Sequence, residues 1–249
     1  MSLYISVLLS SVVALYCIYK RKLTLPAVIF AWLCGITIGY LAGYFAFATL
    51  IATCFIILLT DRIKKDPKDN QRGIQQITSR FLLPTISIIL YYLLGNEGFY
   101  TMFYATMAVC LGDTLASSIG ALAKKKPINI FTQEKIEKGA SGGITLLGTI
   151  ASIFGGIIVG GLYFIQTANI ISFLAIILLS LVGSMIDSIL GLSLQAQYRC
   201  FVCKKVVEEK RHCRKKPKLI RGFAFMDNNL VNLLSNLLIF LISYLIFVS

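Results

Sequence analysis

Eight apolar runs, each close to the length that crosses hydrocarbon, follow one another through this chain and leave little sequence for anything else. They lie at about 2–19, 25–41, 44–60, 80–95, 99–121, 142–166, 170–194 and 227–248. A hydrocarbon core ~30 Å thick needs roughly 20 residues of helix. In that solvent each backbone N–H and C=O must find its partner within the chain, so the runs predict helices. With 57% hydrophobic and 14% charged residues, a soluble globular domain is excluded. The expected fold is all-α, a polytopic transmembrane bundle of about eight segments forming a single integral membrane domain over 1–249. The first run has no basic stretch before it and no small-residue cleavage site after it, and reads as a retained span. The 25–60 stretch is too long for one ordinary span and short for two, which makes Gly39 to Gly43 the expected turn.

The formal charge of +13 sits in the connections: Lys20-Arg21-Lys22, Arg62 to Arg80, Lys124 to Lys138 and Arg199 to Arg221. The alternate connections, near Gly43, Asn96-Glu97 and Gln166 to Asn169, carry no Lys or Arg. By the positive-inside rule the basic connections are cytosolic and both termini lie outside, in a multi-pass protein of the cell membrane. Attraction to anionic headgroups or phosphorylated substrates is a second reading of the same charge. Nucleic acid is not an expected partner, because no basic soluble domain interleaved with aromatics exists.

Four polar clusters interrupt this pattern, all toward the basic face. They are Gly112-Asp113-Thr114-Leu115-Ala116-Ser117-Ser118, Lys138-Gly139-Ala140-Ser141-Gly142-Gly143, Gly183 to Ser188 with Asp187, and Arg221-Gly222 with Asp227-Asn228-Asn229. A carboxylate within a span costs roughly 2.5–3.5 kcal/mol on insertion scales. Asp113 is expected about 12 Å inside the basic end of its segment, at 1.5 Å per residue, and Asp187 at similar depth. Asp113, Ser117 and Gly120 share a helix face, as do Asp187 and Gly191, and again Asn228, Asn232 and Ser235. Asp113, Asp187 and Asp227 would repel one another without a counterion. Mg²⁺, held by one or two carboxylates together with substrate phosphates, is the natural partner. Gly142 and Gly143 at the opening of a helix would offer backbone N–H groups to phosphate, although turns use such glycines routinely. The aspartates could instead serve as polar glue between helices or line an ion path. Asp227 could be a helix cap, and Arg221 and Lys138 could either clamp phosphate or add to the positive-inside bias.

Cys200-Phe201-Val202-Cys203 followed by His212-Cys213 contains the only histidine of the chain, in a loop at about 196–222. The spacing resembles a closed, structural tetrahedral Zn²⁺ site. It requires adjacent His212 and Cys213 to reach one metal. A cytosolic location disfavours disulfides. Cys17, Cys34, Cys54 and Cys110 lie in apolar runs and read as small packing residues.

Gly112-Asp113-Thr114-Leu115-Ala116-Ser117, Gly142-Gly143-Ile144-Thr145-Leu146-Leu147-Gly148-Thr149, and Ile186-Asp187-Ser188-Ile189-Leu190-Gly191 with Gln195 resemble the integral membrane family that contains phytyl-phosphate kinase and transmembrane protein 19. The Cys200 to Cys213 loop and the Asp227-Asn228 to Asn232 stretch match bacterial members, and the likeness runs from about Arg72 to Asn236. The family is similar in turn to polyprenol kinases and CTP:phosphatidate cytidylyltransferases. The resemblance implies CTP-dependent phosphorylation of an isoprenyl monophosphate to the diphosphate. It implies Asp113 and Asp187 as metal-bridging residues and Gly142-Gly143 along the phosphates. Ala140 stands where a Thr is expected, and Arg80-Phe81 where Asn-Gly is expected.

On this reading Arg72 and Arg221 neutralise phosphate charge. Lys138 and the glycines cradle it, and Gln76, Ser117, Ser188, Asp227, Asn228 and Asn232 complete the pocket. A cytidylyltransferase making a CDP-lipid needs nearly the same parts. A transporter of an anionic substrate would favour inverted repeats and a mid-membrane site, whereas no repeat is found and the acids lie toward one face.

Overall fold

A computed structural model describes residues 1–60, 71–136 and 141–249. Lys138, Gly139 and Ala140 lie outside the described residues. The helices are α1 (Leu3–Tyr19), α2 (Leu25–Thr60), α3 (Ile74–Leu94), α4 (Glu97–Gly120), α5 (Leu146–Thr167), α6 (Ile170–Ser193) and α7 (Asn228–Phe247). Six of them are long and apolar enough to cross a membrane, and α1 is a shorter apolar helix of 17 residues.

The 36-residue α2 does not run straight. Gly43 sits at φ +82°, ψ −165°, a region open essentially to glycine alone. In one continuous helix Gly35 and Phe47 would be about 18 Å apart at 1.5 Å per residue. Instead a Cβ placed on Gly35 would lie 3.7 Å from Phe47 Cε2, and one on Gly39 would lie 3.1 Å from Phe47 Cδ2. The chain therefore folds back at Gly43 into two arms, 25–42 and 44–60, and its path has eight apolar segments as expected.

The two ends of the bundle differ in charge. Met1 lies beside Gly43, the Phe247 carbonyl rests against Gly98, and Tyr100 donates to Gln166 Oε1 at 2.7 Å. These contacts gather the connections without Lys or Arg at one end. At the other end Leu23 bridges to Arg72, Thr145 Oγ1 donates to the Gly120 carbonyl at 3.4 Å, and Arg221 reaches Ser141.

The core is centred on α4, where nearly every residue is buried. Small residues let its neighbours approach closely. A Cβ on Gly155 of α5 would meet Gly112 Cα at 2.6 Å, and Ser180 of α6 donates to the Ala108 and Ser152 carbonyls at 2.9 Å each.

Among the described residues, short strands decorate the basic end: β1 (Ile128–Asn129) with β2 (Gly143–Ile144), and a three-stranded sheet ordered β4-β3-β5 from β3 (Gln197–Arg199), β4 (Val206–Val207) and β5 (Lys218–Arg221). The expected helix start at 142 moves to Leu146. Gly143 pairs with Asn129 in the β1–β2 ladder, and Thr145 is the cap, accepting from the Gly148 N–H at 3.0 Å. The segment expected from 80 begins at Ile74, which draws Arg80 into the helix.

Candidate functional site

Four helices deliver polar side chains to one depth near the basic end. Asp113 lies seven residues before the end of α4 and Asp187 six before the end of α6, while Arg80 lies six residues into α3 and Asn232 four into α7. At 1.5 Å per residue each is about 6–10 Å inside its helix end.

The two aspartates meet side by side, close enough for a hydrogen bond between carboxyl groups. Ser235 Oγ donates to Asp187 Oδ1 at 3.1 Å. In the amide orientation its neighbours require, Asn232 donates to the same oxygen at 2.9 Å and to the Asn228 carbonyl at 3.2 Å. Arg80 Nη1 donates to Thr114 Oγ1, and the guanidinium lies in electrostatic range of Asp113, Asp187 and Arg72. Asn236 braces the far wall, donating to the Ser79 carbonyl at 2.9 Å. Arg80, Asp113, Asn232, Ser235 and Asn236 share a small polar cleft with Val109 and Cys110. Two carboxylates this close repel unless a proton or a cation is held between them. A hard divalent ion bound through one or two carboxylates fits such a donor pair.

Beside this cleft opens an apolar cavity of about 320 Å³, lined by α1, both arms of α2 and the start of α3. Val13, Trp32, Leu50 and Phe55 represent its wall, and Arg72 and Arg80 are its basic side chains. Arg80 lines both spaces. Arg72 is placed by its backbone, whose N–H donates to the Lys22 carbonyl at 2.9 Å and whose carbonyl accepts from Thr24 at 3.1 Å.

The other expected site residues divide. Gly142, at φ +79°, fits where a Cβ would strike the Ser188 carbonyl at 2.5 Å. The glycine loop thus rests on α6 one residue from Asp187, rather than opening α5. Ser188 is half-buried at this contact. Arg221 Nη2 donates to the Ser141 carbonyl at 3.3 Å, to the Gly191 carbonyl at 3.5 Å and to Gln197 at 2.9 Å. It therefore clamps backbone to α6. Desolvation lowers its pKa, and the Glu208 carboxylate acts against that shift. Asp227 is exposed and caps α7, accepting from the Leu230 N–H at 2.9 Å. Gln76 and Ser117 are exposed, Ser117 Oγ donating to the Thr114 carbonyl at 3.1 Å, and Asn228 contributes its carbonyl to Asn232.

Arg80, Thr114 and Asn236 are the site residues that sequence reasoning passed over. Arg80 reads as part of a basic connection until the start of α3 is known. Asn236 carries a usable signal, since it follows Asn232 by one turn on the same polar stretch of α7.

In the loop at 196–222, buried Cys200, exposed Cys203 and Cys213, and half-buried His212 bring one ligand atom each to within 4.8 Å of one another. The Cys203 N–H, then His212, hold the Cys200 thiol down at about 6, and desolvation pushes Cys213 up to about 11.

The sequence pattern of the integral membrane protein family DUF92 matches residues 8–240. Protein PGR of Arabidopsis thaliana is 38% identical over 143 residues, which cover 53% of this chain and 49% of the plant protein. An uncharacterized membrane protein of Methanocaldococcus jannaschii is 29% identical over 196 residues, covering 76% of this chain and 82% of the archaeal one. The chain thus spans about half the length of the plant relative and most of the archaeal one. No solved structure matches the chain. The match from residue 8 to residue 240 reaches every membrane segment and takes in the polar cleft between them, and the chain belongs to the DUF92 family of integral membrane proteins.

Proposed function

We propose that this protein transfers a phosphoryl group from CTP to an isoprenyl monophosphate, giving the diphosphate, at the cytosolic face of the membrane. The observation that carries the reading is the adjacency of two spaces through Arg80: a small cleft lined by Asp113, whose carboxyl group meets that of Asp187, and an apolar cavity of about 320 Å³ that can take a hydrocarbon tail. One substrate of such a reaction is lipid and the other aqueous, so a site at the end of a bundle, beside an opening between helices, suits both.

Phosphoryl transfer depends on positioning and charge neutralisation more than on covalent participation by the protein. Asp113 and Asp187 would hold Mg²⁺, which supplies charge neutralisation to the nucleotide phosphates. Ser235 and Asn232 orient the Asp187 carboxylate by donating to one oxygen and leaving the other for the site. Arg80 and Arg72 face the acceptor phosphate at the head of the cavity, where a planar fork binds phosphate oxygens in pairs. Ser141 and Gly142 form the floor on the α6 side, with Lys138 expected nearby in sequence. The positive-inside pattern supports a cytosolic placement of this end, with both termini on the other side.

The test uses purified protein in lipid nanodiscs with Mg²⁺, γ-labelled CTP and phytyl or geranylgeranyl monophosphate. Label recovered in a lipid diphosphate is the expected result. Release of pyrophosphate with formation of a CDP-lipid would replace the kinase by a cytidylyltransferase. Failure to consume any nucleoside triphosphate would overturn the enzymatic reading and favour transport of an anionic substrate.

A further inference from the structure

We infer that Cys200, Cys203, His212 and Cys213 bind one structural zinc ion, and that this ion holds the strands that clamp the glycine loop onto α6.

The donor set fits the metal in kind and in spacing. Zinc takes thiolate sulfur at ~2.3 Å and imidazole nitrogen at ~2.0–2.1 Å in tetrahedral geometry, which places neighbouring N and S about 3.6 Å apart. His212 Nδ1 lies 3.6 Å from Cys203 Sγ and 3.3 Å from Cys213 Sγ. The Val202 N–H donates to Cys200 Sγ at 3.4 Å, which stabilises negative charge on the sulfur.

The backbone solves the problem of adjacent ligands. Cys213 and Arg214 both have positive φ, +48° and +61°, between paired His212 and Lys215, whose N–H groups donate to each other's carbonyls at 3.0 Å. This is a two-residue hairpin of the type that needs left-handed residues at both central positions. Here Cys and Arg hold positions that glycine or asparagine would fill more easily. A ligand requirement at Cys213 explains the choice.

Charge agrees as well. From Arg199 to Arg221 the chain has ten basic residues and two acidic ones. Three thiolates and a neutral imidazole around Zn²⁺ carry a net charge of −1, which this surrounding stabilises. Without the metal, ten positive charges would be folded around strands of two to four residues with little core of their own.

The strands leaving this site are the ones that grip Ser141. Cys200 directly follows β3, whose Gln197 accepts from the Ser141 N–H at 3.1 Å. Val207 of β4 is followed by Glu208, which accepts from Ser141 Oγ. Arg221 ends β5 and donates to the carbonyls of Ser141 and Gly191. Side chains from β3, from β5 and from the residue after β4 thus converge on one residue of the glycine loop, and the proposed metal joins the strand ends behind them.

Elemental analysis of the full-length protein, purified in mild detergent without added metal, should give one zinc per chain. Cobalt substitution should give the visible absorption of a tetrahedral thiolate site, a readout that needs no variant. Cys203→Ser should weaken zinc binding by more than the roughly 10–100-fold that loss of an outer-shell partner costs. Hydrogen exchange should then accelerate at residues 141–144 and 218–222 while the interior of α5 stays protected. Absence of stoichiometric zinc together with an octahedral cobalt spectrum, or a disulfide among these cysteines, would overturn the metal site. Zinc loss with unchanged exchange at 141–144 would overturn its role in holding the loop.

Discussion

Replacing Asp187 by Asn separates a working site from polar glue between helices, because the two roles predict opposite balances of stability and activity. The carboxylate oxygen Oδ1 accepts from Ser235 at 3.1 Å and from Asn232 at 2.9 Å. An asparagine oxygen can accept both bonds in the same place. What is lost is their charge assistance: bonds to charged groups contribute about 1.5–3 kcal/mol against about 0.5–1.5 for neutral ones, or about 1 kcal/mol each for two bonds. What is gained is relief from the neighbouring carboxylate of Asp113, which lies within hydrogen-bond reach. At an effective dielectric of 20, like charges 4 Å apart repel by about 4 kcal/mol. That figure already includes screening, and a proton shared between the two carboxyl groups removes part of the repulsion, which brings it to the same order as the loss. The two contributions oppose one another, and the folded protein should change in stability by no more than ~1 kcal/mol. Turnover should instead fall by at least the 10²–10³-fold typical of removing one preorganised electrostatic partner. The assay pairs label transfer from γ-labelled CTP to isoprenyl monophosphate with thermal unfolding in the same detergent. Activity within about threefold of the parent, where 10²–10³ is expected, would refute the metal-holding role of Asp187. So would a large loss of stability with proportionate loss of activity, which is the signature of glue.

The remaining predictions concern the cavity, the helix seam and the hairpin. Ala31→Trp places a large ring in the apolar cavity lined by Ala31, Trp32 and Leu50; it should raise KM for the isoprenyl substrate about tenfold, equivalent to ~1.4 kcal/mol. KM for CTP should stay unchanged, and an equal rise in both would remove the cavity from lipid binding. Gly155→Ala puts a Cβ 2.6 Å from Gly112 Cα, a clash with backbone that only helix separation can relieve. It should cost about 1–3 kcal/mol and lower the unfolding temperature, and because Gly112 adjoins Asp113, activity should fall with it. An unchanged unfolding temperature would contradict the close α4–α5 seam. Gly43→Ala forces a side chain into the φ +82°, ψ −165° turn of α2 and should cost about 1–3 kcal/mol. A stable Gly43→Ala protein would mean that the two arms do not meet as a hairpin.

Hydropathy and charge alone determined the membrane class, the eight apolar segments and the sorting of basic connections to one end. These are properties of each stretch against its solvent: about 20 residues of apolar helix satisfy a bilayer whatever their neighbours do. The turn at Gly43 was legible for the same reason, since a run too long for one span must break where the chain can. Asp113 and Asp187 stood out because isolated carboxylates are costly in hydrocarbon, and the Cys/His loop because its spacing matches a coordination geometry. The tertiary structure alone decided which polar residues share a space. Arg80 belongs to the site because α3 begins at Ile74, a boundary that local composition leaves open within the Gln71 to Arg80 stretch. Gly142 and Gly143 read as a helix start but lie in a hairpin seated on the Ser188 carbonyl, because β1 supplies a partner from earlier in the chain in the register Ile128–Ile144 and Asn129–Gly143. Arg221 and Asp227 have side chains suited to phosphate or metal, yet one is occupied by the carbonyls of Ser141 and Gly191 and the other by the α7 N-terminus. A charged group's chemistry is written in its type, whereas its partner is set by which helices pack together. That packing rests on contacts such as Gly155 against Gly112, which only the folded bundle brings together.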